Sequence, residues 1–430
     1  MRCGAMLLLY VLIFGSFGIA RAQDQVAPAA EETVTVPKSE YDALKARLDA
    51  VEREVQELKE KLGQGPGQPP PAVEAPPEAA APAAPAPEAQ PPAAGGKQLA
   101  LPDISLIGQV KARASSDTRD DLRNSVRLSE LELGVQGYVY PDVKADAFIT
   151  MSPEENSPAQ VEEAYLTYLG PMKGLNFYVG EKHVAFGRTN ILHNHSWLYV
   201  DQPLVLRNLV AEESLGGEGV GASYVLPTRG GMFAQLDLGT WTGPGPGQPT
   251  SLPNIMVGPG ASFSNRFNTA RLWTGYPVDD NTELEVGGSY ATGGGQGVAI
   301  PGEGRVQLSG VDVSYRHFGE GTSRLLLRGE GVWRQEDNGL TSSTAHGYYL
   351  FSNWRPEKYK SVGLLYDWSE FPQAPDFHES ALSLILTKQF SEQYYLRLQA
   401  KHGSRPGDSS YNELSLQWVW GVGPHTHSLE

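Results

Sequence analysis

Polar and apolar side chains alternate along most of the chain from Leu101 onward. In residues 323–336, Leu325, Leu327 and Trp333 share one parity, whereas arginines and a glutamate occupy the other. Because successive side chains of a β-strand point to opposite faces, this period of two predicts strands. The pattern recurs at roughly sixteen places, near residues 103–113, 127–139, 143–150, 161–169, 175–183, 219–226, 232–241, 266–275, 281–291, 305–318, 323–336, 345–355, 358–368, 378–390, 392–402 and 411–423.

Two kinds of fold give strands one apolar face, the soluble sandwich and the membrane barrel. Short connections such as residues 140–142 alternate here with long ones such as 242–265, and Trp418 and Trp420 lie near the end of the last predicted strand. Membrane barrels place short turns at one rim, long loops at the other and aromatic residues at the interfaces. The pattern therefore favours an all-β fold, a transmembrane antiparallel β-barrel of roughly 16 strands in residues 101–430. A periplasmic sandwich is the soluble alternative.

The first residues have the features of a secretory signal peptide. Arg2 precedes an apolar run at residues 6–19, and Ala20, Arg21 and Ala22 form a small-x-small cleavage site. We expect residues 1–22 to be removed, and residues 23–36 to be disordered. Cys3, the only cysteine, would leave with the signal peptide, so the mature chain would have neither a disulfide nor a thiolate metal ligand.

Residues 37–62 follow a heptad period instead. Apolar residues recur there at alternating spacings of three and four, at Tyr41, Leu44, Leu48, Val51, Val55, Leu58 and Leu62. Residues 63–100 are rich in proline and alanine and predict an extended linker. A helix held away from the barrel can bury its seam only against other copies of itself. The pattern therefore predicts a periplasmic coiled coil and an oligomer, with a homotrimer expected.

Composition and motifs exclude several classes of function. The chain has 50 acidic against 34 basic residues, which argues against a nucleic-acid partner. Its 48 glycines, 19 tyrosines and 8 tryptophans suit turns and membrane interfaces. The sequence contains no G-x-S-x-G elbow, phosphate-binding loop or H-E-x-x-H helix. We expect no enzymatic activity and no cofactor.

One segment resembles a known family. The run FYVGEKHVAFGRTN at residues 177–190, preceded by VEEAYLTYL, resembles the G-x-x-K-x-x-F-G segment of the phosphate-selective porin O and P family. The continuation HNHSWLYVDQP is similar to related uncharacterised porin-like outer-membrane proteins, some of them labelled zinc-regulated outer-membrane receptors. The resemblance implies an outer-membrane location, a signal peptide, a short coiled coil and a trimeric barrel of sixteen strands. It also implies that residues 183–218 form a long loop that folds into the lumen.

The composition of residues 183–218 agrees with such a loop, because the segment is too apolar for a free surface loop. We expect Lys182, Arg188 and Arg207 to be cations near the constriction, with Glu212, Glu213 and Glu218 as anions. Further charged residues share the parity of the predicted lumen face: Glu130, Glu132, Arg271, Glu283, Glu285, Arg316, Arg324, Arg328, Glu330, Arg334, Arg397 and Glu413. Because both signs are interleaved, the sequence gives little reason for strong anion selection.

Histidines supply a possible metal site. His193 and His195 lie on one side of an extended segment, and His425 and His427 repeat the spacing near the C-terminus. Hydrogen bonding of loop histidines to the backbone is the simpler explanation. The two side chains of an acidic pair such as Glu162 and Glu163 are expected to point to opposite faces of a strand, so the two carboxylates are not predicted to act together.

The sequence therefore predicts a passive outer-membrane channel for small hydrophilic solutes or ions, with outer-membrane lipid around the barrel and the coiled coil in the periplasm. A tether is the alternative, in which the coiled coil binds a cell-wall partner and the barrel serves as the membrane anchor. Uptake related to metal ions is a third hypothesis.

Overall fold

The structure is a computed structural model. It describes residues 101–424 except 119, 121, 153–158, 171, 244–250, 253–254, 257–262, 264–265, 296–303, 338–340, 373 and 408–409. The predicted signal peptide, residues 23–36, the coiled-coil seam and the linker at 63–100 lie outside the described residues, as do His425 and His427.

Eighteen strands account for most of the described chain. Their bounds are β1 Asp103–Ser115, β2 Ser125–Tyr140, β3 Val143–Met151, β4 Gln160–Leu169, β5 Leu175–His183, β6 Gly216–Val225, β7 Phe233–Thr242, β8 Ser251–Leu252, β9 Ile255–Met256, β10 Arg266–Asp279, β11 Thr282–Gly294, β12 Arg305–Phe318, β13 Arg324–Asp337, β14 Ser342–Glu357, β15 Lys360–Phe371, β16 Ala374–Ser391, β17 Tyr394–Ser404 and β18 Tyr411–Val422.

Sixteen of these strands form one closed barrel, and β8 and β9 form a separate two-stranded hairpin. Each barrel strand pairs antiparallel with its neighbours in the chain, and β7 pairs with β10 across the hairpin. The first and last strands close the barrel, with Leu106 opposite Val422 and Ser115 opposite Glu413. The prediction of a 16-stranded antiparallel barrel is confirmed, and each predicted strand overlaps an observed one.

The two faces of the barrel wall differ as the alternation predicts. On β13, Leu327 and Trp333 are 43% and 46% exposed, whereas Arg328 and Arg334 are buried. On β18, Leu414, Leu416 and Trp418 are exposed, and Glu413, Ser415 and Gln417 are buried. The outer surface is therefore apolar along these strands, as it is in barrels whose outer surface contacts lipid.

Residues 184–215, called the inward segment below, connect β5 to β6. The segment contains a 3₁₀-helix at Asn194–Ser196 and one short α-helix, α1, at Leu204–Leu209. In the described chain, neither helix is long enough and apolar enough to span a membrane.

The inward segment packs against the inner face of the barrel wall. Val205 and Leu206 are 0% and 1% exposed and belong to the same apolar cluster as Tyr349, Phe351 and Leu365 on β14 and β15. The other wall residues in this cluster are Trp241, Phe267, Ala291, Val306, Leu308, Leu326, Val332, Ala345 and Ile385. Part of the barrel interior is therefore a dry core, which an alternation between polar and apolar faces does not predict.

Candidate functional site

Asn190 joins the two ends of the inward segment. Its Nδ2 donates to the carbonyl oxygens of Val184 and Leu215, both at 2.9 Å, and its Oδ1 accepts from the Leu215 backbone N–H at 2.6 Å. The Val184 N–H also donates to the Leu215 carbonyl at 3.0 Å. One buried side chain therefore closes the segment into a loop that enters and leaves the wall at the same place.

Glu330 on β13 holds the first part of this loop. Its carboxylate accepts the backbone N–H groups of Arg188 and Thr189 at 3.1 and 2.9 Å, and the hydroxyls of Thr189 and Tyr349 at 2.6 and 2.7 Å. Gly187 has φ of 63°, and a Cβ at this position would collide with the Glu330 carboxylate. The glycine is therefore needed for the backbone to approach the wall this closely.

Wall side chains also bind the backbone of the later part of the segment. Arg334 Nη1 donates to the Leu209 carbonyl at 2.7 Å, and Arg397 Nη1 donates to the Tyr199 carbonyl at 3.3 Å. Gln399 Oε1 accepts the Val200 N–H at 2.8 Å. These residues satisfy loop backbone groups that have no strand partner, as buried backbone requires.

A half-buried and a buried carboxylate form ion pairs between segment and wall. Asp201 on the segment pairs with Arg113 at 2.6 Å and with Lys401. Burial would raise the pKa of Asp201, but Lys401 and Arg113 outweigh burial and hold the pKa well below its usual range. Glu379 on β16 accepts from Arg207 Nη2 at 2.5 Å and from Arg405 Nε at 2.9 Å.

Two cavities lie between the inward segment and the wall. The first, of about 280 Å³, is lined by Lys182, Arg188 and Arg271, together with Glu163, Asp237 and aromatic side chains. The second, of about 230 Å³, is lined by five arginines and one glutamate: Arg188, Arg316, Arg324, Arg355, Arg397 and Glu283. Arg188 lines both cavities, and its side chain is 21% exposed. Its side chain therefore lies between the two cavities.

The predicted pore residues divide into two groups. Seven of them line one or both cavities: Lys182, Arg188, Arg271, Glu283, Arg316, Arg324 and Arg397. Seven others line neither of these cavities and have other contacts: Glu130, Glu132, Arg207, Glu285, Arg328, Glu330 and Arg334.

The anions expected near the constriction are two glutamates of the inward segment and one of β6. Glu212, Glu213 and Glu218 are exposed. Glu218 lies two residues before Val220 on β6, so both side chains point to the same face of the strand, and Val220 is 50% exposed. Glu218 therefore lies on the outer face of β6, whereas the position of Glu212 and Glu213 near the constriction stays a prediction. Arg271, by contrast, lies inside the barrel and is paired with Asp312 at 2.8 Å.

The predicted histidines His193 and His195 lie in a cluster of carboxylates inside the barrel. His193 Nδ1 is 2.7 Å from Glu132 Oε2 and 3.4 Å from Glu162 Oε2, and His195 Nδ1 is 3.6 Å from Glu132 Oε2. His183 joins them, with Nε2 3.6 Å from Glu162 Oε1. Burial lowers the pKa of His193, but Glu162, Glu132 and Glu163 outweigh burial and raise it well above its usual value.

A β-bulge explains why Glu162 and Glu163 both reach this cluster. Phe148 on β3 lies opposite Glu163, but the next residue, Ile149, lies opposite Val161, so that Glu162 is an extra residue in β4. Both glutamates contact His193, at 3.4 and 3.0 Å. The expectation that they point to opposite faces is therefore wrong, because a bulge breaks the strict period of two.

Comparison of the sequence with known proteins finds one distant relative and no family. No family model matches the chain. An uncharacterized protein of Aquifex aeolicus is 25% identical over 216 residues, which span 46% of this chain and 44% of that protein. The resemblance to the phosphate-selective O and P family thus stays a prediction.

Two solved structures to which the chain is similar are outer-membrane proteins. The anion-selective porin from Comamonas acidovorans superposes with a TM-score of 0.51 at 13% identity, over 75% of this chain and 100% of that one. The outer-membrane channel DcaP of Acinetobacter baumannii gives a TM-score of 0.49 at 14% identity, over 76% and 99%. The superposition on the Comamonas porin shows that the chain has the fold of an outer-membrane porin.

Proposed function

We propose that the protein is an outer-membrane channel through which small hydrophilic solutes or ions diffuse passively. The porin fold and the apolar outer surface support a barrel surrounded by lipid. The predicted signal peptide supports export, and the heptad seam supports a trimer with its coiled coil in the periplasm. The proposed function is transport without chemical conversion.

The observation that carries the proposal is the pair of cavities on either side of Arg188. They lie inside the barrel, between the inward segment and the wall, and charged side chains line both of them. A charged, water-accessible path through a narrowed barrel is the arrangement that selective channels use.

The lining of the second cavity favours anions. Five arginines and one acidic residue, Glu283, are the charged residues of this lining. Arg316 is also paired with Glu285 at 2.8 Å. Phe318 and Tyr359, near the short connections of the barrel, belong to the same lining. Short connections face the periplasm in outer-membrane barrels. We therefore place a cationic chamber on the periplasmic side of Arg188.

Reversal of charge at Arg188 tests this path. In planar bilayers under a salt gradient, Arg188→Glu should move the reversal potential toward cation selectivity, because its charge faces both cavities. The shift should be largest at low salt, where screening is weakest. Arg305→Glu is the matched control, since Arg305 is exposed and lines neither cavity. Equal reversal potentials for wild type and Arg188→Glu would reject a path past Arg188.

A further inference from the structure

Three histidines and several carboxylates converge beside the first cavity. His193, His195 and Glu132 are each no more than 1% exposed. One ligand atom from each lies within 4.8 Å of the others, and Glu162, His183 and His193 form a second such group. The two groups share His193, so that they form one continuous cluster.

The orientation of His193 is fixed from the far side of its ring. His193 Nε2 is 3.0 Å from Glu163 Oε2. Glu163 is itself held by the His183 backbone N–H at 2.8 Å and by Lys182 Nζ at 3.4 Å. A histidine that binds a metal usually donates its other N–H to a carboxylate in this way. With Nε2 as the donor to Glu163, the Nδ1 lone pair points toward Glu132 and Glu162.

Such an arrangement needs a positive charge on the Nδ1 side. A lone pair 2.7 Å from a carboxylate oxygen is repulsive unless Nδ1 carries a proton or a cation lies nearby. Glu162 Oε2 is also buried and accepts no well-aligned hydrogen bond from the described residues. Glu130 adds a further carboxylate, 3.7 Å from His195 Nδ1. The carboxylates of Glu130, Glu132, Glu162 and Glu163 thus surround two imidazoles, and a divalent cation would neutralise two of these negative charges.

The spacing of the ligand atoms suits zinc. Around a tetrahedral Zn²⁺ with bonds of about 2.0–2.2 Å, adjacent ligand atoms are about 3.3 Å apart. Two of the separations in the cluster are close to this value, 3.4 Å between His193 Nδ1 and Glu162 Oε2 and 3.6 Å between His195 Nδ1 and Glu132 Oε2. The 2.7 Å separation between His193 Nδ1 and Glu132 Oε2 would have to open by about 0.6 Å.

We infer that the barrel interior binds one divalent metal ion of the zinc type, with Glu132, His193 and His195 as ligands. Glu162, 3.4 Å from His193 Nδ1, is a neighbouring carboxylate. Glu163 is a positioning residue that orients His193. The ligands come from β2 and the inward segment, so the ion would cross-link the segment to the wall. A buried site of this kind is a resident structural metal centre. It adjoins the first cavity, which Glu163 also lines, but zinc binding does not depend on the proposed transport function.

Zinc titration of the whole protein tests the inference. The full chain, without an affinity tag, is extracted from membranes in detergent, treated with a chelator and titrated with Zn²⁺ against a chromophoric competitor. We expect one zinc ion per chain. The double variant His193→Gln with His195→Gln should weaken binding at least about 100-fold, and Glu163→Gln should weaken it about 10- to 100-fold.

Two control variants separate this site from other histidines. His402→Gln removes an exposed histidine that bonds to Asn412, and His425→Gln with His427→Gln removes the pair near the C-terminus. Both controls should bind zinc as the wild type does. Binding that disappears in the C-terminal variant and persists in the His193 and His195 variant would overturn the inference.

A measurement on the wild type covers the case in which the cluster variants do not fold. X-ray absorption of the zinc-loaded protein should show nitrogen and oxygen neighbours at about 2.0–2.2 Å with the scattering of two imidazoles. Wild-type protein that retains no zinc after desalting, or zinc with oxygen neighbours alone, would show that protonated His193 provides the charge instead. Because these readouts use protein in detergent, they are independent of the conductance experiments.

Discussion

Glu330 should decide whether the inward segment stays attached to the barrel wall. Its carboxylate is 3% exposed and accepts the backbone N–H groups of Arg188 and Thr189. In Glu330→Ala both N–H groups lose their partner inside the barrel. The hydroxyls of Thr189 and Tyr349 lie 2.9 Å apart and can still bond to each other.

The free energy lost in Glu330→Ala follows from the two N–H donors that are left without an acceptor. Leaving a buried donor unsatisfied costs about 1–3 kcal/mol, so Glu330→Ala should weaken attachment by about 2–6 kcal/mol. Even the lower figure changes the ratio of attached to detached segment about 30-fold. Glu330→Gln should be intermediate, because its Oε1 can still accept from Thr189 while its amide group faces the Arg188 N–H.

Limited digestion with trypsin measures attachment in the folded barrel. Cleavage after Arg188 or Arg207 should be slow in the wild type, faster in Glu330→Gln and fastest in Glu330→Ala, and single-channel conductance should increase in the same order. Glu357→Ala is the control, because Glu357 lies at the end of β14 with a side chain 61% exposed. If cleavage rates and conductance in Glu330→Ala equal those of the wild type, Glu330 does not hold the segment and the reasoning fails.

Two further predictions test the outer face and the oligomer. Leu327→Arg places a charge on the exposed apolar face of β13 and should reduce the yield of barrels folded into lipid bilayers. The cost of the charge is about 2–4 kcal/mol if the site lies near the membrane midplane. An unchanged yield would mean that this face does not contact lipid. Leu48→Asp with Val55→Asp should reduce chemical crosslinking between chains and leave the barrel folded, because both residues belong to the predicted seam; unchanged crosslinking would show that the barrel walls alone hold the oligomer.

The strands were predictable because period two is a local property of the sequence. Arg324, Leu325 and Arg328 reveal their faces by parity alone, since a closed barrel keeps that parity along most of its wall. The same rule fails at Glu162, because a bulge depends on pairing with β3 and leaves no mark in β4 itself. The meeting of Glu162, Glu163 and His193 was for this reason not foreseen.

The role of each charged lumen residue was also not predictable from the sequence. Glu330, Arg334 and Arg397 share the lumen parity, and all three bond to the backbone of the inward segment. Whether such a residue lines a water path or holds a loop depends on where residues 184–215 lie, which local periodicity does not specify. Asn190 was missed for the same reason, although an asparagine is well suited to bond both ends of a loop.

Conductance of the wild-type protein in a planar lipid bilayer tests the central claim most directly. The account predicts stepwise currents when the purified full chain is added, with a reversal potential under a salt gradient that favours anions. A protein that inserts as a folded barrel and yet carries no current would contradict the proposed channel function.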